Sequence, residues 1–68
     1  MLITRRFQAS HKSFAHIKYL LESYDNLAIM TILDGAAGLF DLKCDDSMTR
    51  ELAEVIKGIS QEIDLEEL

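Results

Sequence analysis

The segment Leu27–Leu33, LAIMTIL, most constrains how this chain can fold. It carries no charged residue, so as a strand it presents two largely apolar faces. Such a strand is either covered on both sides or rests its outer face against a partner. The two alternating sets of side chains are Leu27, Ile29, Thr31 and Leu33 on one face and Ala28, Met30 and Ile32 on the other.

The residues on either side of this strand predict a helix before it and a hairpin after it. Ser10–Ser23 has the spacing of an amphipathic helix, with Ser10 as its N-cap and Phe14, Ile17, Leu21 and Tyr24 as its buried stripe. Asp25 and Asn26 favour the turn that closes this helix. The loop at residues 34–38 contains two glycines and leads to a third strand, Leu39–Cys44, whose wet face carries Asp41 and Lys43.

The two ends of the chain add one strand and one helix. Leu2–Gln8 is the first predicted strand. The second helix opens at residues 45–47, with Asp46 or Ser47 as its cap, and an apolar stripe continues to Ile63. The acidic residues 64–68 are expected to form a loose tail.

This order predicts a single α+β domain over residues 1–68, a two-layer ferredoxin-like or ACT-like βαββα sandwich. We expect a three-stranded antiparallel sheet of order 1-3-2, with both helices on one face. The first strand then lacks a neighbour at its outer edge. Either a second copy of the chain or the tail folding back would fill that position.

Composition restricts the class of protein further. A chain of 68 residues buries little surface, and a single cysteine forms no internal disulfide, so self-association is the expected extra stabiliser. A net charge of −5 argues against a nucleic-acid partner, and no apolar run is long enough to span a membrane. The lone Cys44 and the lack of a signal peptide predict a cytoplasmic protein.

No catalytic or metal-binding pattern emerges from the residues. His11 and His16 lie about 140° apart around a helix, too far apart for one metal ion. Cys44 fits a small apolar core residue better than a nucleophile. We therefore predict that the protein is not an enzyme and has no cofactor or metal.

Five residues form the predicted interface. They are the side chains of the apolar second strand that face outward and the two helix residues opposite the buried stripe: Ile29, Thr31, Leu33, His16 and Tyr19.

The run HIKYLLESYDNLAIMTILD at residues 16–34, followed by Gly38, Leu39 and a final amphipathic helix, resembles a bacterial family of about 70 residues called domain of unknown function 4911. The resemblance covers residues 14–63 and implies a fold but no activity. The layout more loosely resembles the ACT domain, a regulatory module that binds amino acids and pairs side by side.

Two functional hypotheses follow. The first is a non-enzymatic interaction module that forms a homo-oligomer, expected to be a dimer. The alternative is an ACT-like sensor of a small molecule such as an amino acid, with its pocket near Gln8–Lys12 or between protomers.

Overall fold

The computed structural model describes residues 1–24 and 27–68, and the predicted turn at Asp25–Asn26 lies outside them. Within these residues the chain forms four strands and two α-helices. Their bounds are β1 (Leu2–Ala9), α1 (Phe14–Glu22), β2 (Ile29–Asp34), β3 (Leu39–Asp45), α2 (Thr49–Glu62) and β4 (Leu65–Glu67).

The sheet has four strands in the order β2-β3-β1-β4, and every pairing in it is antiparallel. The predicted α+β class, with two helices and an antiparallel sheet, is therefore confirmed. The prediction of three strands is wrong, because the tail adds β4 beside β1. Of the two expected ways to fill that position, the tail folding back is the one that the structure confirms. The predicted sub-order 1-3-2 remains inside the larger sheet, and the elements follow the order β-α-β-β-α-β.

Three contacts explain why the acidic tail, expected to be loose, forms a strand. Leu65 pairs with Ala9 and packs against the core. Two nitrogens of Arg5 donate to the two carboxylate oxygens of Glu67, at 2.8 and 2.6 Å. The Leu68 amide also donates to the Arg6 carbonyl at 2.9 Å. The bidentate ion pair supplies the geometric specificity that acidic composition alone does not reveal.

Both α-helices begin later than the sequence predicts, because a turn of 3₁₀ helix precedes each of them, at His11–Ser13 and Asp46–Met48. The predicted cap at Ser10 is confirmed, since its hydroxyl accepts from the Lys12 amide. At the second helix the predicted caps are wrong: Asp45 is the capping residue and accepts from the Ser47 amide at 3.0 Å.

The core lies between the two helices and one face of the sheet. Phe7 stacks on Phe40 with ring centroids 5.7 Å apart, and Phe14 of α1 meets Phe40 edge-on at 5.3 Å. Cys44 is buried, as predicted. Tyr24 is half exposed rather than part of the helix stripe, because α1 ends at Glu22, before it. The other fully buried large side chains are Ile17, Leu27, Leu42 and Leu52.

The hairpin between β2 and β3 depends on glycine at one position. Gly38 has a φ of +76°, and its carbonyl accepts from the Ala9 amide at 2.9 Å. A Cβ at this position would collide with the Ala9 carbonyl oxygen. Gly58 in α2, by contrast, has open space where its Cβ would be.

We therefore expect opposite effects from two glycine-to-alanine substitutions. Gly38→Ala should lower the free energy of unfolding by about 2 kcal/mol or more, because it combines left-handed backbone strain with a steric clash. Gly58→Ala should raise it by about 1 kcal/mol through helix propensity. Urea denaturation followed by circular dichroism measures both. Equal effects of the two variants would contradict this reading of the hairpin.

Candidate functional site

The outer edge of β2 pairs with no other strand in the part of the chain that the structure describes. The direction of its backbone groups follows from the register. The Ala9 amide of β1 bonds to Gly38, so the even-numbered residues of β3 face β1 and the odd-numbered ones face β2. Thr31 lies opposite Asp41 and therefore bonds towards β3. The amides and carbonyls of Met30 and Ile32 consequently face the free edge.

This edge is apolar as well as unpaired. The exposed fraction of the residue is 65% for Ile29, 55% for Ile32 and 44% for Leu33. No charge or proline interrupts the strand before Asp34, although edge strands commonly carry such residues to block pairing with other chains. A bulge between Ile32 and Asp34 confines the irregularity to the hairpin end, so Ile29–Ile32 keep regular register.

In the described residues, helices pack against one face of the sheet and leave the other face open. Residues directly opposite one another share a face, and Phe7 and Phe40 lie under α1 on the face that we call the covered face. The other side, the open face, carries Ile29 and Thr31 of β2 with their β3 partners Lys43 and Asp41. No helix of the described residues covers it.

The structure does not bring the five predicted interface residues together. Ile29 and Thr31 lie on the open face, and Leu33 lies in the bulge. His16 and Tyr19 lie in the helix layer, where His16 Nε2 is 3.3 Å from Glu62 of α2 and Tyr19 is 69% exposed. The structure adds Ile32, which its pairing with Phe40 assigns to the covered face and which is nevertheless exposed.

A polar row crosses the open face at right angles to the strands. Arg6, Asp41 and Thr31 are directly opposed on β1, β3 and β2. Arg6 Nε donates to Asp41 Oδ1 at 2.9 Å, and a terminal guanidinium nitrogen donates to Oδ2 at 3.3 Å. The predicted wet position of Asp41 is wrong, since its exposed fraction is only 5% under this guanidinium.

The same contact sets the ionisation of Asp41. Hydrogen bonds from Arg6 lower its pKa below the ordinary value for aspartate, while burial opposes the shift and the positive charges of Arg6 and Lys43 add to it. The carboxylate is therefore ionised in the folded protein at neutral pH. The open face thus has a fixed ion pair beside its apolar edge.

A shallow groove of about 680 Å³ begins next to β2. Its lining includes the apolar residues Leu21, Ala28 and Met30 and the charged residues Lys18 and Glu22 of α1. Its volume is in the range of ligand sites, although the groove is open rather than enclosed.

Two polar side chains of the predicted ligand turn at Gln8–Lys12 already have hydrogen-bond partners within the chain. The Gln8 side-chain amide donates to the Ala37 carbonyl at 2.9 Å, and the Ser10 hydroxyl accepts from Lys12. Among residues 1–24 and 27–68, no three His, Cys, Asp or Glu side chains lie close enough to hold a metal ion. No helix in these ranges is long and apolar enough to cross a membrane.

Comparison with known proteins gives a family. The family model described as domain of unknown function (DUF4911) matches residues 7–63 of the 68-residue chain. The chain belongs to the DUF4911 family. The DUF4911 match includes the whole β2 edge and stops before β4. No curated protein and no solved structure shows significant similarity to the chain.

The Arg6–Asp41 pair predicts a specific dependence of stability on pH. Because the pKa of Asp41 is lower in the folded than in the unfolded chain, its contribution is complete above the unfolded value of about 3.9. That contribution is lost as the pH falls through the folded pKa. Asp41→Asn should therefore be less stable than the parent at neutral pH, and the difference should shrink on acidification.

Urea midpoints at about pH 7 and about pH 3, at constant ionic strength, measure this difference. Asp64→Asn, at an exposed position after α2, is the matched control and should show no such convergence. A gap between parent and Asp41→Asn that is the same at both pH values would contradict the role of the ion pair.

Proposed function

We propose that this protein is a non-enzymatic interaction module that forms a homodimer through the free edge of β2. The observation that carries the proposal is the combination of unpaired backbone groups with exposed Ile29, Ile32 and Leu33 on one strand. An extended partner strand would satisfy the backbone groups and remove these side chains from water. The buried lone thiol of Cys44 is consistent with a cytoplasmic location.

The small size of the chain supports the same proposal. A domain of this length buries a modest share of its surface, so added apolar burial has a large effect on its stability. The other side of the sheet differs, because β4 pairs there with part of β1. In the described residues β2 presents the longer free edge, which is regular and uncharged over Ile29–Ile32.

The proposed interface consists of β2 residues and excludes the helix residues His16 and Tyr19. The helix residues lie on the opposite side of the sheet from Ile29 and Thr31, so one flat contact does not engage both groups. Their exposure is normal for surface side chains.

We expect a molar mass near twice the 7.7 kDa of the chain in size-exclusion chromatography with light scattering. Ile29→Glu should shift the population towards the monomer, because it places a charge in the interface. The new carboxylate lies opposite Lys43 on β3, so the fold itself tolerates it.

Two variants control for this result. Leu2→Lys changes a residue of nearly the same exposure, 66%, on the same open face. The new lysine lies opposite Asp45, so it also faces a residue of opposite charge. Tyr19→Lys tests the helix layer. Both should remain dimers. A monomeric parent chain, or dissociation by Tyr19→Lys but not by Ile29→Glu, would overturn the proposed interface.

The second candidate function is an ACT-like small-ligand sensor, and the groove beside β2 is the observation that favours it. The groove offers a cation on α1, Lys18, and an apolar lining that includes Met30, a combination that suits an amino acid with an apolar side chain. A thermal-shift series with the free amino acids separates the two candidates, since a ligand that binds only the folded state raises the melting temperature. Lys18→Met should abolish such a shift, and no shift at millimolar concentration would remove this candidate.

A further inference from the structure

We infer that two copies pair antiparallel through β2 about a twofold axis at Thr31, joining their sheets into one of eight strands. This inference rests on the proposed self-association and adds its register. In this register Thr31 lies opposite its own copy. Met30 lies opposite Ile32 of the second copy, and Ile29 lies opposite Leu33.

Backbone geometry limits the possible registers. The groups of Met30 and Ile32 face the free edge, whereas those of Ile29 and Thr31 are used by β3. A symmetric antiparallel pair must therefore match even-numbered residues with even-numbered ones. The axis then passes through a residue of the regular part of the strand, Ile29–Ile32. An axis at Ile29 would leave exposed Ile32 and Leu33 without a partner among residues 27–34, so the candidates are Met30, Thr31 and Ile32.

The pattern of exposure selects Thr31 among these three. An axis at Thr31 sets each exposed apolar side chain of β2 opposite another accessible apolar side chain. An axis at Met30 would set exposed Leu33 opposite Leu27, which is already buried, and Ile29 opposite Thr31. An axis at Ile32 would set Met30 opposite the charged Asp34.

The surroundings of β2 agree with this choice. Thr31 ends the row of Arg6 and Asp41, so the only polar side chain of Leu27–Leu33 lies at the axis and no like charges meet there. Met30 lines the groove under α1, and Ile32 of the second copy, placed beside it, would fill the mouth of that groove. Apolar side chains on both faces of β2 then gain an apolar neighbour on the second copy.

A second copy is the occupant that this pattern fits. Apolar residues flank Thr31 at one and two positions on either side, so the two identical strands of an isologous pair about this axis match apolar with apolar side chains. An unrelated strand would place no such symmetry requirement on β2. The edge also carries no charge that would select a partner of opposite sign.

Cysteine cross-linking of the full chain tests the register, using the single variants Thr31→Cys, Met30→Cys and Ile32→Cys. Opposed residues in a pair that is not hydrogen-bonded have Cα atoms about 4.5 Å apart, within disulfide reach. Under mild oxidation Thr31→Cys should form a disulfide-linked dimer. Met30→Cys alone should not, because its copies are offset by about 7 Å along the strands in addition to the strand spacing.

A mixture keeps the test valid if Thr31→Cys folds poorly. Met30→Cys mixed with Ile32→Cys should give a linked heterodimer that neither variant forms by itself. The parent chain is the background control, since its Cys44 is buried and should form no linked dimer.

The outcomes separate the register from the proposed function. Efficient linking of Met30→Cys alone or Ile32→Cys alone would overturn the Thr31 axis and leave pairing through β2 intact. Dimers by light scattering in the reduced state, with no link at any of these positions, would move the interface away from β2. Monomers throughout would overturn both the register and the self-association.

Discussion

The pairing of β1 with β3 is the contact on which the rest of the structure depends. It runs from Leu2 to Gln8 without a break and brings Phe7 and Phe40, which are 33 positions apart in the sequence, into a stack. Phe14 then fixes α1 over the stack. Because contacts over such sequence distances are costly in chain entropy, the aromatic cluster must recover that cost through burial.

The edges of the sheet are less covered by the rest of the chain than this central pair, and the two edges differ from each other. On the β1 side the chain uses its own last residues, held by Leu65 in the core and the Arg5–Glu67 pair. On the β2 side no described residue supplies a further strand, and isoleucine and leucine side chains remain in water. This asymmetry is the physical basis of the proposed dimer: one edge is covered within the chain, and the other is left for a second copy.

Local periodicity predicted most of the elements, whereas features that depend on register were not predictable. The helix stripe around Ile17 and Leu21 and the alternation around Phe40 gave the α+β class. Strand β4 was expected only as one of two ways to complete the edge at the first strand, because its three residues carry no period of their own and depend on Arg5, 62 positions away. Asp41 was misplaced for a similar reason, since its cover comes from Arg6 on another strand. At the candidate site, the two-faced apolar character of β2 indicated Ile29 and Leu33. Ile32 was missed because its exposure depends on how far the helix layer extends.

Amide hydrogen exchange of individual β2 residues, measured by NMR across a dilution series, tests whether two copies pair through the free edge of β2. In the monomer the amides of Met30 and Ile32 face solvent, whereas those of Ile29 and Thr31 are bonded to β3. Pairing through β2 predicts that the amides of Met30 and Ile32 become protected as the concentration rises, while that of Thr31 changes little. A dimer that forms while both edge amides continue to exchange at the unprotected rate would contradict it.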